Sequence, residues 1–134
     1  MKNIYDKTTI IELTTKDFKD EVLISKKFKN KHGLIKFYAP WCPHCKDMKS
    51  DLLFLSNGLI NHDFVIGVVN TDENKDLSAK FNISSIPKLF LVDSKGKLES
   101  LNLIDNSIEN ILENICKFTK KCCIKDNNKI VCKN

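Results

Sequence analysis

Two cysteines three positions apart, in Cys42-Pro43-His44-Cys45, are the residues of this 134-residue chain best suited to chemistry. Such a pair can hold a soft metal ion as half of a thiolate site, or pass two electrons by closing and opening a disulfide. A helix beginning at the motif would put Cys42 at its N-terminus, where unpaired backbone N–H groups and the positive end of the dipole favour a thiolate. Cys45 would come round one turn to the same side, within reach to displace a mixed disulfide formed on Cys42. Pro43 fits the first turn, where its missing N–H has no intrahelical partner. His44 adds a polar neighbour that favours the thiolate further. A zinc site needs about four ligands and a turn glycine after its second cysteine, where this chain has Lys46. Bulky Trp41 before the pair, an apolar strand before that and a helix after it favour the redox reading.

The elements that must position the pair follow from periodicity. Ile10 to Leu13 reads as a short strand, followed by a helix that Thr14 or Thr15 caps, with Asp17 in its first turn and Phe18 and Val22 four residues apart. Leu34 to Tyr38 is a mostly apolar run suited to a central strand covered on both faces. The helix after Trp41 runs to about Ser56, with Met48, Leu52 and Leu55 on one side and Asn57-Gly58 as a left-handed stop. Phe64 to Val69 is the next buried strand, followed by a polar loop at Asn70 to Asn74 and a short helix from Lys75 to Phe81. Lys88 to Val92 and Lys97 to Leu103 read as strands joined by a tight turn at Asp93-Ser94-Lys95-Gly96. Ser107 caps a last helix with Ile108, Ile111, Leu112 and Ile115 on its buried stripe. The sum is an α/β fold with a mixed central sheet and helices on both faces.

Length suits one compact domain. Residues 1 to 116 balance 16 lysines against 16 acids, whereas residues 117 to 134 hold 6 lysines and Asp126, so the net charge of +5 resides in the tail. A solvated basic terminus is the plain reading of that excess. The chain has no arginine, so the planar fork that reads phosphates and guanine edges is missing and nucleic acid is an unfavoured partner. Residues 1 to 7 lack the apolar run of a signal peptide, and no segment reaches the length of a membrane span. The default expectation is a soluble intracellular, cytosolic monomer, with a virion or an organelle as the other compartments considered.

Phe37-Tyr38-Ala39-Pro40-Trp41-Cys42-Pro43-His44-Cys45-Lys46 resembles the active-site segment of the thioredoxin and protein disulfide isomerase family. Asn70 to Leu77, Phe81-Asn82-Ile83 and Ser85-Ile86-Pro87 resemble that family's third strand, third helix and cis-proline loop in order and spacing, and Leu13 to Phe18 resembles its opening. The resemblance covers about residues 8 to 118. It implies a thioredoxin fold over residues 1–118, with residues 119–134 as a basic, cysteine-rich extension. It implies a thiol–disulfide oxidoreductase in which Cys42 attacks and Cys45 resolves, with Trp41, Pro43, His44, Ile86 and Pro87 shaping the site. Ile86-Pro87 should be a cis peptide facing the cysteines, with the Ile86 backbone pairing to substrate. No cofactor is implied beyond the Cys42–Cys45 disulfide itself. The implied partners are protein thiols and disulfides, glutathione, and a redox-recycling protein.

Three departures stand out. Lys36 occupies the position, six residues before the first cysteine, where the family usually has a buried carboxylate that accepts the resolving thiol's proton. If it points beneath the helix and stays charged, it favours thiolates and makes the disulfide a stronger oxidant; alternatively its long stem carries the ammonium to water. Lys36→Glu is expected to speed resolution. The Pro-His dipeptide resembles that of strongly oxidising periplasmic enzymes, so the oxidising half of a range from about −270 to about −120 mV is expected. Ser50 replaces a kinking proline, which implies a straighter helix, and no glycine appears in the loop around Ile104-Asp105-Asn106.

Cys116 falls on the stripe of the last helix and reads as a small core residue. Cys122, Cys123 and Cys132 flank a turn at Asp126-Asn127-Asn128. A Cys123–Cys132 clip suits such a hairpin and would stabilise it by ~2 to 3 kcal/mol in the chain-entropy model, although four cysteines allow three complete pairings. The functional alternative is a dithiol shuttling electrons to Cys42 and Cys45. Two rivals to an oxidoreductase are a thioredoxin-like binding module using the basic tail, and a metal carrier combining Cys42 and Cys45 with tail thiols.

Overall fold

The computed structural model describes Tyr5, residues 7–103 and residues 105–133. The leader-free reading of residues 1–4 and 6 and the reading of Ile104 lie outside these residues. Strand β4 (His32–Tyr38) is the centre of a five-stranded sheet. It pairs in parallel with β5 (Phe64–Asn70), which pairs in parallel with β1 (Ile11–Leu13). On its other side β4 runs antiparallel to β6 (Lys88–Val92), which runs antiparallel to β7 (Leu98–Leu101). The sheet is therefore mixed, as the strand–helix alternation implied.

Helices cover both faces, which is why β4 and β5 are buried along almost their whole length. Side chains alternate across a strand, so Leu34, Lys36 and Tyr38 point to one face and Ile35 and Phe37 to the other. The first face packs α2 (Lys49–Leu59) and α4 (Ile108–Thr119) through Leu52, Leu55, Leu59, Ile111, Leu112 and Ile115. The second packs α3 (Lys75–Lys80) through Leu77, together with Phe18, Phe28 and Phe90. Each fully buried Leu, Ile or Phe contributes about 1.5 to 3 kcal/mol, so both faces hold substantial cores. Ser107 caps α4 by accepting the Asn110 N–H at 3.2 Å. Asp93 closes the β6–β7 turn by accepting the N–H groups of Lys95 and Lys97, both at 2.9 Å, with Gly96 at φ 86°.

Four local expectations are corrected. The helix expected after Thr14 is a single 3-10 turn (Thr15–Asp17), capped reciprocally by Thr14 and Asp17, followed by a two-stranded hairpin of β2 (Phe18–Lys19) and β3 (Val22–Leu23). The chain reverses there because Asp20 adopts a left-handed φ of 55°, and β3 is anchored by the Leu23 N–H donating to the Gly96 carbonyl at 2.9 Å. The motif helix is divided at Met48 into α1 (Pro43–Asp47) and α2, although no proline stands at the break. It does not stop at Asn57-Gly58: both stay helical, and Asp63 supplies the left-handed turn after a 3-10 extension (Ile60–His62).

Gly58 has another use. A Cβ there would lie 2.5 to 2.9 Å from three side-chain atoms of Ile130. Ile130 belongs to β9 (Lys129–Lys133), which pairs antiparallel with β8 (Cys122–Asp126) in a C-terminal hairpin. Helix and hairpin can approach this closely only because position 58 lacks a side chain. Two tail lysines help seat the hairpin, Lys121 donating to the His62 carbonyl and Lys125 lying 5.6 Å over the Phe54 ring.

The tail cysteines correct the fourth expectation. Cys116 is not a free core thiol: it is bonded to Cys122, six positions later, across a tight return from α4 whose turn Lys120 makes at φ 66°. Cys123 and Cys132 face one another across β8 and β9 and form the second disulfide. Adjacent residues of β8 thus point to opposite sides, one tying the hairpin to α4 and the other tying its two strands together.

Candidate active site

Cys42 is the N-cap of α1. Its sulfur accepts the Cys45 N–H at 3.2 Å, the place an Asp or Ser oxygen takes in an ordinary cap, and Pro43 fills the first helical position. The two thiols are both free and both shielded, Cys42 at 3% exposure and Cys45 at 0%. Cys42 also lies 3.9 Å from the carbonyl oxygen of Ile86. The Ile86–Pro87 peptide is cis, so the loop before β6 faces the motif as the resemblance implied. A groove of about 190 Å³ lined by Thr71, Ser84, Ser85 and Ile86 opens beside it.

Trp41 stands at the rim with 65% of its surface exposed, and its indole Nε1 donates to Asp72 Oδ2 at 2.9 Å. Asp72 is presented by a loop fastened through Asn70, which is buried at the end of β5, accepts the Asp72 N–H at 3.0 Å and donates to Glu73 at 3.0 Å. Pro43 and His44 are exposed on the outer side of α1.

Beneath the motif lies Lys36, fully buried at 0% exposure, so its ammonium does not reach water. Its Nζ donates to the Cys45 carbonyl and to the Tyr5 hydroxyl, each at 2.7 Å. The Tyr5 ring meets Tyr38 edge to face at 5.5 Å, and the Tyr38 hydroxyl donates to Glu12 at 3.2 Å. Burial pulls Lys36 down to about 8, partly opposed by the neighbouring Cys45 and Cys42. Burial pushes the Cys45 thiol up to about 12, with the Cys42 hydrogen bond adding to the rise and Lys36 opposing it. Burial lifts Glu12 to about 7 against the lowering effect of the Tyr38 hydroxyl, and Tyr5 and Tyr38 are both held protonated by burial.

Tyr5, Glu12 and Asp72 were not singled out by sequence reasoning. Tyr5 lies 31 positions from Lys36 in a polar segment, and no periodic signal marks it. Asp72 was read only as part of a polar loop. The metal-carrier rival loses its tail thiols, because all four are spent on disulfides.

A helix-capping dithiol facing a cis-proline loop, on a mixed sheet of order β1-β5-β4-β6-β7, defines the class of thioredoxin-fold domains with a redox-type cysteine pair. The comparisons agree: the model of the Thioredoxin family matches residues 9–117, and the chain belongs to that family. It is 34% identical over 109 residues to a thioredoxin of Buchnera aphidicola, covering 74% of this chain and 96% of that one. It is 38% identical over 95 residues to a putative protein disulfide-isomerase of Dictyostelium discoideum, covering 69% of this chain and 21% of that protein. A protein disulfide-isomerase of Aspergillus niger, named tigA, is 34% identical over 89 residues, covering 65% of this chain and 24% of that one. The chain thus spans about a fifth to a quarter of the length of these disulfide-isomerase relatives. The crystal structure of the Trx4 domain of ERdj5 superposes with a TM-score of 0.68 at 22% identity, covering 84% of this chain and 97% of that one, which shows the shared fold. The β8–β9 hairpin lies beyond the matched residues.

Proposed function

We propose that the chain is a thiol–disulfide oxidoreductase that exchanges disulfides with protein substrates through Cys42 and Cys45. In the reducing direction the Cys42 thiolate attacks a substrate disulfide, one substrate sulfur leaves as a thiolate, and a Cys42 mixed disulfide remains. Cys45 then attacks Cys42 Sγ, the second substrate sulfur leaves, and the Cys42–Cys45 disulfide forms; two electrons have passed to the substrate. The same steps reversed oxidise a substrate dithiol. Names of the relatives support this reading, and one observation carries it: the Cys42 sulfur caps α1 while facing the Ile86 carbonyl beside an open groove. An extended substrate segment lying along that groove would pair with the Ile86 backbone and bring its sulfur to Cys42.

The chemistry of the site supports an oxidising lean. The buried Lys36 ammonium beneath Cys45 opposes the burial that pushes the Cys45 thiol up, which favours the reduced protein and raises the potential of the pair. Two disulfides in the C-terminal hairpin favour an oxidising compartment over the cytosol. The hairpin of β8 and β9 serves as a brace on α2 and α4 and leaves the exchange to the family unit. Among the described residues, no helix is long and apolar enough to cross a membrane.

Trapping tests the assignment. A Cys45→Ser variant mixed with a scrambled disulfide protein should accumulate a covalent complex through Cys42 that dithiothreitol releases, and a Cys42→Ser variant should form none. A Cys42→Ser/Cys45→Ser protein that retains full biological activity would favour a binding module instead.

A further inference from the structure

We propose that the lysine-rimmed end of the sheet, opposite Cys42, is a docking surface for an anionic lipid membrane. This goes beyond the exchange reading and does not rest on it. Two loops build the surface. One joins β3 to β4 and carries a 3-10 turn (Lys26–Phe28), and the other is the β6–β7 turn around Asp93 to Gly96. The Leu23 N–H bond to the Gly96 carbonyl and an antiparallel bridge between Val22 and Lys97 tie them together. Between them lies an open groove of about 330 Å³, lined by the buried Leu23 and Phe28 and by Lys26, Lys29 and Lys95. Phe28 packs into the second core and so fixes the turn that presents the lysines.

The charge here is free to act outward. Lys26, Lys27, Lys29, Lys95 and Lys97 are all exposed, and among the described residues none of their ammonium groups has an ion pair. No acidic residue lines the groove. Asp93 faces its own turn, accepting the Lys95 and Lys97 N–H groups, while Asp20 and Glu21 in the β2–β3 turn stand outside the lining. Ile24, 54% exposed, sits on the rim among the ammonium groups. The tail lysines are less free: Lys117 pairs with Glu113 at 3.4 Å, Lys121 donates to the His62 carbonyl and Lys125 lies over Phe54.

The kind of charge selects the partner. Protein interfaces are depleted of lysine, which argues against an acidic protein. Phosphate and base recognition in nucleic acid favours the arginine fork, which the chain lacks. Flexible point charges splayed around an exposed aliphatic side chain suit a diffuse anionic surface, with the ammonium groups at the headgroups and Ile24 entering the interface. Each lysine held near such a surface multiplies partitioning about fivefold, so five give about three orders of magnitude.

Docking this way leaves the exchange site in solution. Both loops lie at the His32 end of β4, whereas the motif follows its Tyr38 end. Seven residues of strand separate the two ends, roughly 20 Å. The Debye length of about 8 Å at physiological salt keeps Cys42 outside the membrane's field.

The test is flotation of the full chain with vesicles. Phosphatidylcholine vesicles with a third of phosphatidylserine should carry the protein, pure phosphatidylcholine vesicles should not, and high salt should release it. Lys26→Gln/Lys29→Gln/Lys95→Gln should bind about 100-fold more weakly. Lys16→Gln/Lys75→Gln/Lys80→Gln removes equal charge from exposed positions elsewhere and should weaken binding less than about tenfold. Trp41, the chain's single tryptophan, reports orientation from the motif rim, and brominated phosphatidylcholine should leave its emission unquenched in the bound protein. Quenching of Trp41 would place the motif end on the lipid and overturn the proposal, with no variant needed. So would equal weakening in the two triple variants, or no flotation of wild type at low salt. Tighter binding to a poly-glutamate peptide or a DNA duplex than to the vesicles would overturn it in favour of a protein or nucleic-acid partner.

Discussion

The burial of Lys36 makes a prediction about stability that does not depend on catalysis. In the folded protein its ammonium is held at about 8 rather than 10.5. At ~1.4 kcal/mol per pH unit, that difference amounts to roughly 3 kcal/mol. Below pH 8 both the folded and the unfolded chain carry the proton, and the contribution is flat. Between pH 8 and 10.5 the unfolded chain still binds a proton that the folded chain has released, so folding stability rises with pH across this window. Lys36→Met lacks that rise. The comparison belongs in a Cys42→Ser/Cys45→Ser background, which needs no reductant and so preserves the hairpin disulfides. Removing the two thiols also removes charges that raise Lys36, so the window opens at or below pH 8. Urea denaturation followed by far-ultraviolet circular dichroism, at intervals from pH 6 to 10.5, gives the stability difference between the lysine protein and Lys36→Met. That difference should move by roughly 2 to 3 kcal/mol in favour of the lysine protein as pH rises. A difference constant within about 0.5 kcal/mol would mean that the ammonium is solvated, and the clamp between Tyr5 and Cys45 would not exist.

Two further predictions concern the hairpin. Replacing a mid-helix glycine by alanine normally stabilises by ~1 kcal/mol, but at Gly58 the new methyl would meet Ile130, and overpacking of this kind costs about 1 to 3 kcal/mol. Gly58→Ala should therefore destabilise by up to ~2 kcal/mol in urea, and the sign should reverse in an Ile130→Gly background; stabilisation in the wild-type background would show the hairpin is not seated on α2. Cys123→Ala/Cys132→Ala opens a loop with a sequence separation of 9 and should cost ~2 to 3 kcal/mol by the same assay, with the rate of covalent trapping at Cys42 in a Cys45→Ser background unchanged. A change in that rate would tie the hairpin to the chemistry.

What could be read in the sequence was what depends on residues close together in the chain. The Cys42–Cys45 spacing, the apolar runs of β4, β5 and β6, and the stripe of α4 each repeat with the period of one element, so the mixed sheet and its helices were legible. What escaped depends on neighbours far apart in sequence. A glycine preceded by asparagine signals a helix end in isolation, and only Ile130, 72 positions later, turns Gly58 into a contact point. Thr14 to Val22 carries a valid cap and a helical spacing, yet Asp20 and the bond from Leu23 to Gly96 fold it into a hairpin. Cys116 looked apolar because stripe membership does not reveal a partner that returns after the helix ends. Lys36 was recognised as a departure, but the sequence left open whether its stem would lead to water. The answer came from Tyr5 and from the Cys45 carbonyl, which close over the ammonium.

Equilibration of the protein in glutathione buffers of graded ratio, followed by acid quench, alkylation and peptide mass mapping, tests the central claim most directly. Cys42 and Cys45 should interconvert as one two-electron couple, moving tenfold for about 30 mV, with a midpoint between about −200 and −120 mV, while both hairpin disulfides stay closed. A midpoint near −270 mV would contradict the oxidising lean, and cysteines that never bridge across the whole series would contradict the account itself.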